Sequence, residues 1–211
     1  MISLGINLIE FKKNYRGGLN TYILELIEEL EKRKLKINIF TNKNSEIYLK
    51  NKFKKSNIII FEKNKFFYLA IQSLSLIFNI ERLFSFIENC YYKDLKEKIE
   101  EKCEIFYCPL SYLKPYNLNI PTVSSPHDFQ HLHFPENFDW LRLKYRNIAF
   151  NLSVKKSNLI QVSSNFIKKD IKTNFNINKN KIIVINEGVS NKFKPNKINF
   201  KKNDYIFFPA Q

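Results

Sequence analysis

Hydrophobic residues follow two alternating patterns along the chain. Short and nearly continuous apolar runs are typical of strands buried on both faces, and they predict strands at residues 2–9, 37–40, 58–61, 105–108, 122–124, 159–162 and 182–185. Between most of these runs, apolar residues recur every three or four positions, which predicts helices at 19–30, 95–102, 140–156 and 165–175. Strands that alternate with helices predict an α/β fold with a doubly wound, Rossmann-like parallel sheet.

The segment Phe66–Ile87 departs from this alternation because it is apolar along most of its length. Polar residues such as Gln72 and Glu81 interrupt it, and its purely apolar runs are too short to span a bilayer. Two interpretations stay open. We first expect a long helix packed between the sheet and a neighbouring helix, and the alternative is a helix that lies on a membrane surface with the help of nearby lysines.

Charge and cysteine content narrow the choice of partners and compartment. A formal net charge of +15 suggests nucleic acid, an anionic membrane surface or a phosphorylated substrate as partners. The lysines are scattered and contain no recognised nucleic-acid module, so we expect no nucleic-acid partner. The unpaired spacing of Cys90, Cys103 and Cys108 favours inert thiols in a reducing compartment, and the first residues lack the features of a signal peptide. These features predict a cytoplasmic protein.

A glycine pair stands between the first predicted strand and the first predicted helix. Gly17 and Gly18 follow Arg16 there, where glycines let an anion approach the free N–H groups and the positive dipole end of a helix. The turn has neither the GxGxxG dinucleotide fingerprint nor the Gly-Lys-Ser/Thr of a P-loop. Anion binding and a purely structural turn therefore both stay open.

All three histidines lie in one segment, 124–136, directly after a short predicted strand. Ligands bind at the carboxyl ends of strands in open α/β sheets, so we expect His127 and Asp128 at the mouth of a cleft. We favour a polar contact from His127 to a sugar or phosphate. The alternatives are acid/base catalysis by His127 with its tautomer fixed by Asp128, a structural histidine satisfied by backbone, and a metal site completed by His131 and His133. The segment is predicted to be neither helical nor a tight turn, which counts against a metal.

Two later strand ends would border the same cleft. Ser163 or Ser164 is predicted to cap the helix that begins near residue 165, and Gly188 is predicted to be a turn glycine. Both places are expected to be mainly structural. Their position at carboxyl strand ends nevertheless makes Ser163, Glu187 and Gly188 candidates for substrate contact.

In this order, the motifs resemble the N-terminal domain of family 4 glycosyltransferases, the retaining GT-B enzymes that use nucleotide sugars. The resemblance rests on Gly17-Gly18, His127-Asp128, the Ser163-Ser164 corner followed by Phe166 and Asp170, and the strand from Lys181 that leads into Gly188-Val189. The histidine segment is similar to the bacterial, mannosyltransferase-like branch that builds O-antigen and capsule polysaccharides.

The resemblance implies two Rossmann-like domains that face each other, with the acceptor mainly on the N-terminal domain and the nucleotide on the other. Gly17 and Gly18, assisted by Arg16, would approach the diphosphate of the nucleotide-sugar donor. His127, with Asp128, would contact the transferred hexose or a glycan or lipid-linked acceptor. The resemblance implies no metal and no cofactor besides the donor, because helix dipoles and basic side chains stabilise the leaving diphosphate.

The resemblance also predicts how the chain is divided. Residues 1–190 correspond to the N-terminal domain of a GT-B fold, the Lys/Asn-rich stretch 191–203 to a linker, and 204–211 to the first strand of a C-terminal domain that is otherwise missing. We therefore expect the acceptor-side half of a glycosyltransferase, inactive alone and in peripheral contact with an anionic membrane. Two rival functions stay open: a non-catalytic binding module, and a metal-dependent hydrolase that uses His127, Asp128, His131 and His133.

Overall fold

The computed structural model describes residues 1–14, 17–78 and 80–188. Within them, seven strands form one sheet in the order β3-β2-β1-β4-β5-β6-β7, and every neighbouring pair is parallel. The strands are β1 (Ile2–Leu8), β2 (Leu35–Thr41), β3 (Asn57–Ile60), β4 (Ile105–Cys108), β5 (Thr122–Ser124), β6 (Leu159–Val162) and β7 (Ile182–Val184). This topology confirms the predicted doubly wound α/β fold.

Helices cover both faces of the sheet. They are α1 (Gly18–Leu30), α2 (Lys43–Lys52), α3 (Phe66–Ile77), α4 (Glu81–Tyr91), α5 (Lys93–Lys102), α6 (Gln130–His133), α7 (Trp140–Lys156) and α8 (Asn165–Asn174), with 3-10 turns at Pro135–Asn137 and Lys179–Lys181. Successive residues of a strand point to opposite faces. Accordingly, Ile39 packs in a core with Ile23 of α1, whereas the next residue, Phe40, packs in a second core with Phe84 of α4.

The apolar segment Phe66–Ile87 is not the single long helix that the sequence first suggests. It forms two helices, because α3 ends at Ile77 and α4 begins at Glu81, and the two pack against each other. Much of α3 faces outward instead of lying between the sheet and another helix. Among the described residues, no helix combines the length and the apolar character needed to cross a bilayer.

Other differences from the sequence predictions are local. The pattern missed α2, whose only buried residues are Ser45 and Leu49, so it carries almost no apolar stripe. The histidine segment includes the helical turn α6 where an irregular loop is predicted. The three cysteines are free as expected, although Cys90 is exposed. The predicted linker at 191–203 and the predicted start of a second domain at 204–211 lie outside the described residues.

Candidate functional site

The carboxyl ends of all the strands meet at one edge of the sheet, because the strands are parallel. The chain builds outward from β1 to β3 and then returns to place β4 on the other side of β1. The connections that leave β1 and β4 therefore diverge and open a crevice between them, the usual ligand site of such sheets. The predicted site residues lie on the loops along this edge.

His127 is held between the ends of three strands. Its Nε2 atom lies 2.7 Å from the carbonyl oxygen of Pro109 after β4, and its Nδ1 atom lies 3.4 Å from Oε1 of Glu187 after β7. The ring of Tyr22 from α1 meets the imidazole edge-on, with 5.9 Å between centroids. Both nitrogens thus lie near oxygen atoms, and the contact to Pro109 holds the ring in place. This arrangement suits a polar contact with a ligand better than a free general base.

A hydrogen-bond network of neutral groups positions Tyr22, whose ring contacts His127. Gln161 of β6 donates from Nε2 to the hydroxyl of Tyr22 at 3.0 Å and accepts at Oε1 from the hydroxyl of Tyr107 at 3.0 Å. The Tyr107 hydroxyl also lies 3.0 Å from Oγ of Ser125. Burial raises the pKa of Tyr107, so this phenol stays protonated. The sequence analysis missed this network, although a glutamine inside an apolar strand was a signal for it.

Asp128 points away from His127 and toward α7. Its Oδ1 atom accepts hydrogen bonds from Nη2 of Arg146 at 2.9 Å and from the backbone N–H of Gln130 at 3.1 Å. The carboxylate that faces His127 is therefore Glu187, not Asp128 as the acid/base interpretation supposes. Asp128 instead fixes the start of α6.

The other two histidines also have separate surroundings. His131 is buried and stacks on Phe150, with 5.0 Å between centroids, while Nε2 of His133 lies 2.8 Å from Oδ2 of Asp170 on α8. Among the described residues, no three His, Cys, Asp or Glu side chains form a group that could hold a metal ion. The histidine segment therefore does not build the metal site that the hydrolase interpretation requires.

The glycine turn leaves the start of α1 open. Gly17 precedes the helix in extended conformation, and α1 lacks the side-chain cap that Asn42 supplies to α2 and Asp139 to α7. A Cβ atom added to Gly18 would meet no described atom within 4 Å, whereas one added to Gly5 would lie 2.7 Å from the Phe106 ring. Packing does not explain the glycine at position 18, and the space beside it admits a ligand. Arg16 lies outside the described residues.

The later strand ends contribute unequally. Ser164, the second of the two serines considered as a cap, binds the α8 N-terminus by accepting from the N–H of Ile167 at 3.3 Å. Ser163 takes part through its carbonyl oxygen, which accepts from Nδ2 of Asn186 at 2.9 Å. Glu187 reaches the site through His127, and a Cβ atom added to Gly188 would meet no described atom within 4 Å.

Comparison with known proteins was informative at the level of the family. The profile of Glycosyltransferase Family 4 matches residues 16–193, which is most of the chain. The chain belongs to this family. A comparison with curated proteins found no match.

Several solved structures resemble this family 4 domain in part. The apo form of the lipopolysaccharide outer core galactosyltransferase WaaB is 15% identical with a TM-score of 0.48, over 90% of this chain and 46% of that one. For the UDP-GlcNAc 2-epimerase from Methanocaldococcus jannaschii the values are 15%, 0.47, 87% and 45%. For CalG4, the calicheamicin glycosyltransferase, they are 10%, 0.44, 92% and 55%. The chain spans about half the length of each of these proteins.

The family 4 domain also has a buried ion pair in the crevice between β1 and β4, which the sequence analysis missed. The Lys114 side chain is 7% exposed, and its Nζ atom lies 3.0 Å from Oε1 of Glu10 and 2.5 Å from the hydroxyl of Tyr145. Burial alone would lower the pKa of Lys114, but the Glu10 carboxylate and Tyr145 raise it well above its ordinary value. In turn Lys114 lowers the pKa of Glu10. Both groups therefore stay charged at neutral pH.

Proposed function

We propose that this chain is the acceptor-side half of a retaining GT-B glycosyltransferase. It would transfer a hexose, such as mannose, from a nucleotide sugar to a glycan or lipid-linked acceptor in the synthesis of a bacterial surface polysaccharide. Family membership supports glycosyl transfer. The observation that carries the assignment of the site is the pairing of a clamped His127 with an uncapped helix start at Gly18 on the same edge of the sheet.

Each half of that pair suits one part of the reaction. The open N-terminus of α1 offers backbone N–H groups and a positive dipole end to the donor diphosphate, and Gly17, Gly18 and Arg16 are the residues proposed to approach it. His127 offers a polar ring, held in place by Pro109, to the hydroxyl groups of the transferred sugar or the acceptor. As the bond from the anomeric carbon to the diphosphate breaks, the electron pair goes to the diphosphate, and fixed positive charge near that group favours its departure.

The remaining candidates take supporting roles in this proposal. Glu187 holds His127, Asp128 fixes the turn that follows it, and Ser163 and Gly188 line the edge where the sugar would lie. The proposed location is the cytoplasmic side of the plasma membrane, in peripheral contact with lipid. The net charge of +15 and the exposed apolar side of α3 support that location.

Two binding measurements on the 211-residue chain test the proposal. Calorimetry with nucleoside diphosphates and a panel of nucleotide sugars is compared for the wild type, Gly18→Ala and Gly18→Val, since a growing side chain closes the space beside α1 by degrees. A glycan array is read with the wild type and His127→Ala, with His133→Ala as the matched control because His133 is bound to Asp170 instead.

We expect glycan binding that His127→Ala weakens at least tenfold and His133→Ala leaves intact. Any diphosphate binding should weaken from glycine to alanine to valine at position 18. The proposal would be contradicted by donor binding that substitutions at Gly18 and His127 leave unchanged. It would also be contradicted by a folded chain that binds no glycan. Glycan binding with no transfer, either by this chain or by a longer polypeptide that contains it, would favour the non-catalytic binding module.

A further inference from the structure

A large open cavity lies at the other end of the carboxyl edge, beyond His127 and Gly18. It has a volume of about 900 Å³ and is bordered by the loop after β1, the start of α2 and the residue before α3. A neighbouring cavity of about 200 Å³ shares part of this border. Five lysines line the two cavities, and we call the four of them that form no ion pair among the described residues the lysine basin: Lys12, Lys13, Lys43 and Lys65.

The basin lysines have no acidic partner within the described residues, since none of them forms an ion pair there. The nearby Lys63 differs, because it lies 3.4 Å from Asp94 and donates to the carbonyl oxygen of Tyr91. Glu10, the acidic residue that borders the larger cavity, is already paired with Lys114. Five lysines and two carboxylates, Glu10 and Glu62, line the two cavities, so the basin keeps a net positive charge although Lys12 and Lys65 also help to lower the pKa of Glu10.

The N-terminus of α2 adds to this potential. Asn44 and Ser45 of its first turn line the larger cavity, and the positive end of the helix dipole lies there. The side chain of Asn42 also borders the cavity, and it fixes the helix start by donating to the carbonyl oxygens of Ile9 and Phe11. A bound anion of phosphate size would meet the lysines and the positive end of the α2 dipole, while Asn42 itself caps the helix by accepting from the N–H of Ser45.

The helix next to the basin is amphipathic in the reverse sense. On α3 the buried residues include Gln72 and Ser75, whereas Phe66 is 73% exposed and Phe67 is 74% exposed. The exposed apolar residues of this pair of helices are Phe66, Phe67, Leu69, Ile71, Leu74, Ile77, Leu83 and Phe86, and we call them the α3–α4 face. The inward side of α3 is held by polar contacts, because Gln72 and Tyr68 both bond to the buried Glu88 of α4.

The basin and the face are continuous. Lys65 borders both cavities, is the cap residue of α3 and is followed directly by Phe66. Helix α3 contains no charged residue. A surface that is cationic on one side and apolar on the other complements the interface of an anionic bilayer, where phosphate groups lie just above the acyl chains. A protein partner would leave the basin charge unexplained.

We propose that the lysine basin binds the phosphate group of a membrane lipid while the α3–α4 face enters the bilayer interface. The inference rests on the proposed function and makes it more specific. The acceptor becomes a glycan joined to a lipid through phosphate, whose phosphate lies in the basin while its acyl or isoprenoid chain stays in the membrane beside α3, and the accepting hydroxyl is on the glycan. The acceptor hydroxyl then reaches the crevice between β1 and β4 from the membrane side.

Vesicle co-sedimentation of the 211-residue chain tests this inference. The vesicles are phosphatidylcholine alone, phosphatidylcholine with phosphatidylglycerol, and phosphatidylcholine with phosphatidic acid, which carries a phosphate monoester. We expect affinity to rise in that order, to fall as salt is added, and to weaken for phosphatidic acid in the presence of soluble glycerol phosphate. Equal affinity for the two anionic lipids would overturn the phosphate site and leave only a general attraction to negative membranes.

Two sets of variants locate the surface. Lys12→Gln, Lys13→Gln and Lys65→Gln together should weaken binding to anionic vesicles about 100-fold, because each lysine near such a surface contributes about fivefold. The matched control removes the same charge at the other end of the strand order, through Lys169→Gln, Lys172→Gln and Lys179→Gln on and after α8. Equal losses in the two triple variants would overturn the assignment of the basin.

A second pair of variants tests the apolar half. Phe67→Ser with Phe86→Ser should abolish the binding that persists in high salt, whereas Phe166→Ser, an equally exposed phenylalanine on α8, should not. If sedimentation velocity instead shows dimers that Phe67→Ser dissociates, the face is covered by a second copy and the inference fails. None of these measurements needs a nucleotide sugar. If the chain binds no vesicles but shows the expected dependence of ligand binding on Gly18 and His127, this inference alone is overturned. If the chain binds vesicles as expected but shows no such dependence on Gly18 and His127, the proposed function alone is overturned.

Discussion

At the ends of β5, β6 and β7, polar side chains on the loops are bound to one another. His127 is held by Pro109 and Glu187, and His133 is held by Asp170. At the ends of β1 and β2, the lysines of the basin have no such partners among the described residues. Both regions lie on one edge of one sheet and follow strands of the same kind, so the strands do not account for the difference.

The side chains of the histidine region are fixed by contacts within the protein, whereas the lysines of the basin remain able to bind an anion. A side chain whose hydrogen bonds are made inside the protein is fixed in place, and a ligand gains from it only through the charge or surface it still presents. Unpaired cations around an open cavity are neither fixed nor neutralised, so an incoming anion supplies their first strong partner. We therefore expect substitutions in the histidine region to change stability, in addition to the effect of His127→Ala on glycan binding, and substitutions in the lysine basin to change binding alone.

His131 gives the largest expected effect on the stability side of this comparison. It is buried, neither ring nitrogen has a hydrogen-bond partner among the residues that the structure describes, and burial together with the nearby charge of Arg146 lowers its pKa from 6.5 to about 4. The unfolded chain takes up a proton near pH 6.5 and the folded chain does so only near pH 4, so stability should fall as the pH decreases between these values. The pKa difference corresponds to about 3 kcal/mol.

Urea unfolding between pH 4 and pH 7 measures this effect. His131→Phe keeps a ring against Phe150 and cannot ionise, so it should match or exceed the wild type in stability at neutral pH and lose most of the dependence on pH in this range. His133→Phe is the control, because His133 is partly exposed and should leave the contribution of His131 in place. A His131→Phe curve parallel to that of the wild type would mean that His131 is not the group responsible.

Glu10 lies at the border between the two regions, and Glu10→Gln should lower the free energy of unfolding by about 2 kcal/mol at neutral pH. The substitution leaves the ammonium of Lys114 buried without its carboxylate, and the expected loss is below that of a fully buried pair because the Glu10 side chain is 49% exposed. Since Lys114 lowers the pKa of Glu10, the pair contributes fully above the ordinary value of 4.5, and its contribution disappears as the pH falls through the folded-state pKa. The difference in the free energy of unfolding between Glu10→Gln and the wild type should therefore become smaller as the pH falls.

A matched control for this prediction is Glu29→Gln. Glu29 pairs with Lys32 on the surface, where both side chains are largely exposed, and the expected change is within about 0.5 kcal/mol. Chemical denaturation of both variants at pH 7 and at pH 4 distinguishes a buried pair from a surface pair. Equal small changes would show that Lys114 does not depend on Glu10.

Asp170→Ala should lower stability by about 1 kcal/mol, because it removes the buried acceptor of the hydrogen bond from His133 and separates α6 from α8. A double-mutant cycle with His133→Ala isolates the pair, since the second substitution should have little effect once the first is made. Additive losses would mean that the two residues act independently.

The sequence predicted most of the fold because the relevant signals are local. Buried parallel strands are short apolar runs, and the bounds predicted for β4, β5, β6 and α7 agree with the structure. Helix α2 was missed because it buries only two side chains, and its start depends on the capping contact from Asn42 to Ser45. The division between α3 and α4 was missed because apolar residues continue from α3 through the first turns of α4, so hydrophobicity alone did not mark the boundary.

The candidate site was less predictable, because its contacts join residues that are distant in the chain. His127 and Asp128 are neighbours in sequence but face different elements, so adjacency suggested a partnership that Glu187, 60 residues later, supplies instead. Lys114 is one of many lysines, and nothing in its local pattern distinguishes the one that is buried. Periodicity reports which face a residue occupies, whereas pairing depends on which loops meet at the sheet edge.

The smallest expected effect on stability is that of substitutions in the lysine basin. The combined variant Lys12→Gln, Lys13→Gln and Lys65→Gln should change stability by less than about 0.5 kcal/mol, or raise it slightly, because these side chains make no ion pair within the described residues and the protein as a whole carries an excess of positive charge. Urea unfolding at low and high salt measures this, and the wild type should gain more from added salt than the variant, since salt screens the repulsion. A loss above 1 kcal/mol would mean that the lysines hold the fold together. If stability is unchanged while vesicle binding is lost, the charges of these lysines serve ligand binding, because the folded state then gains nothing from them.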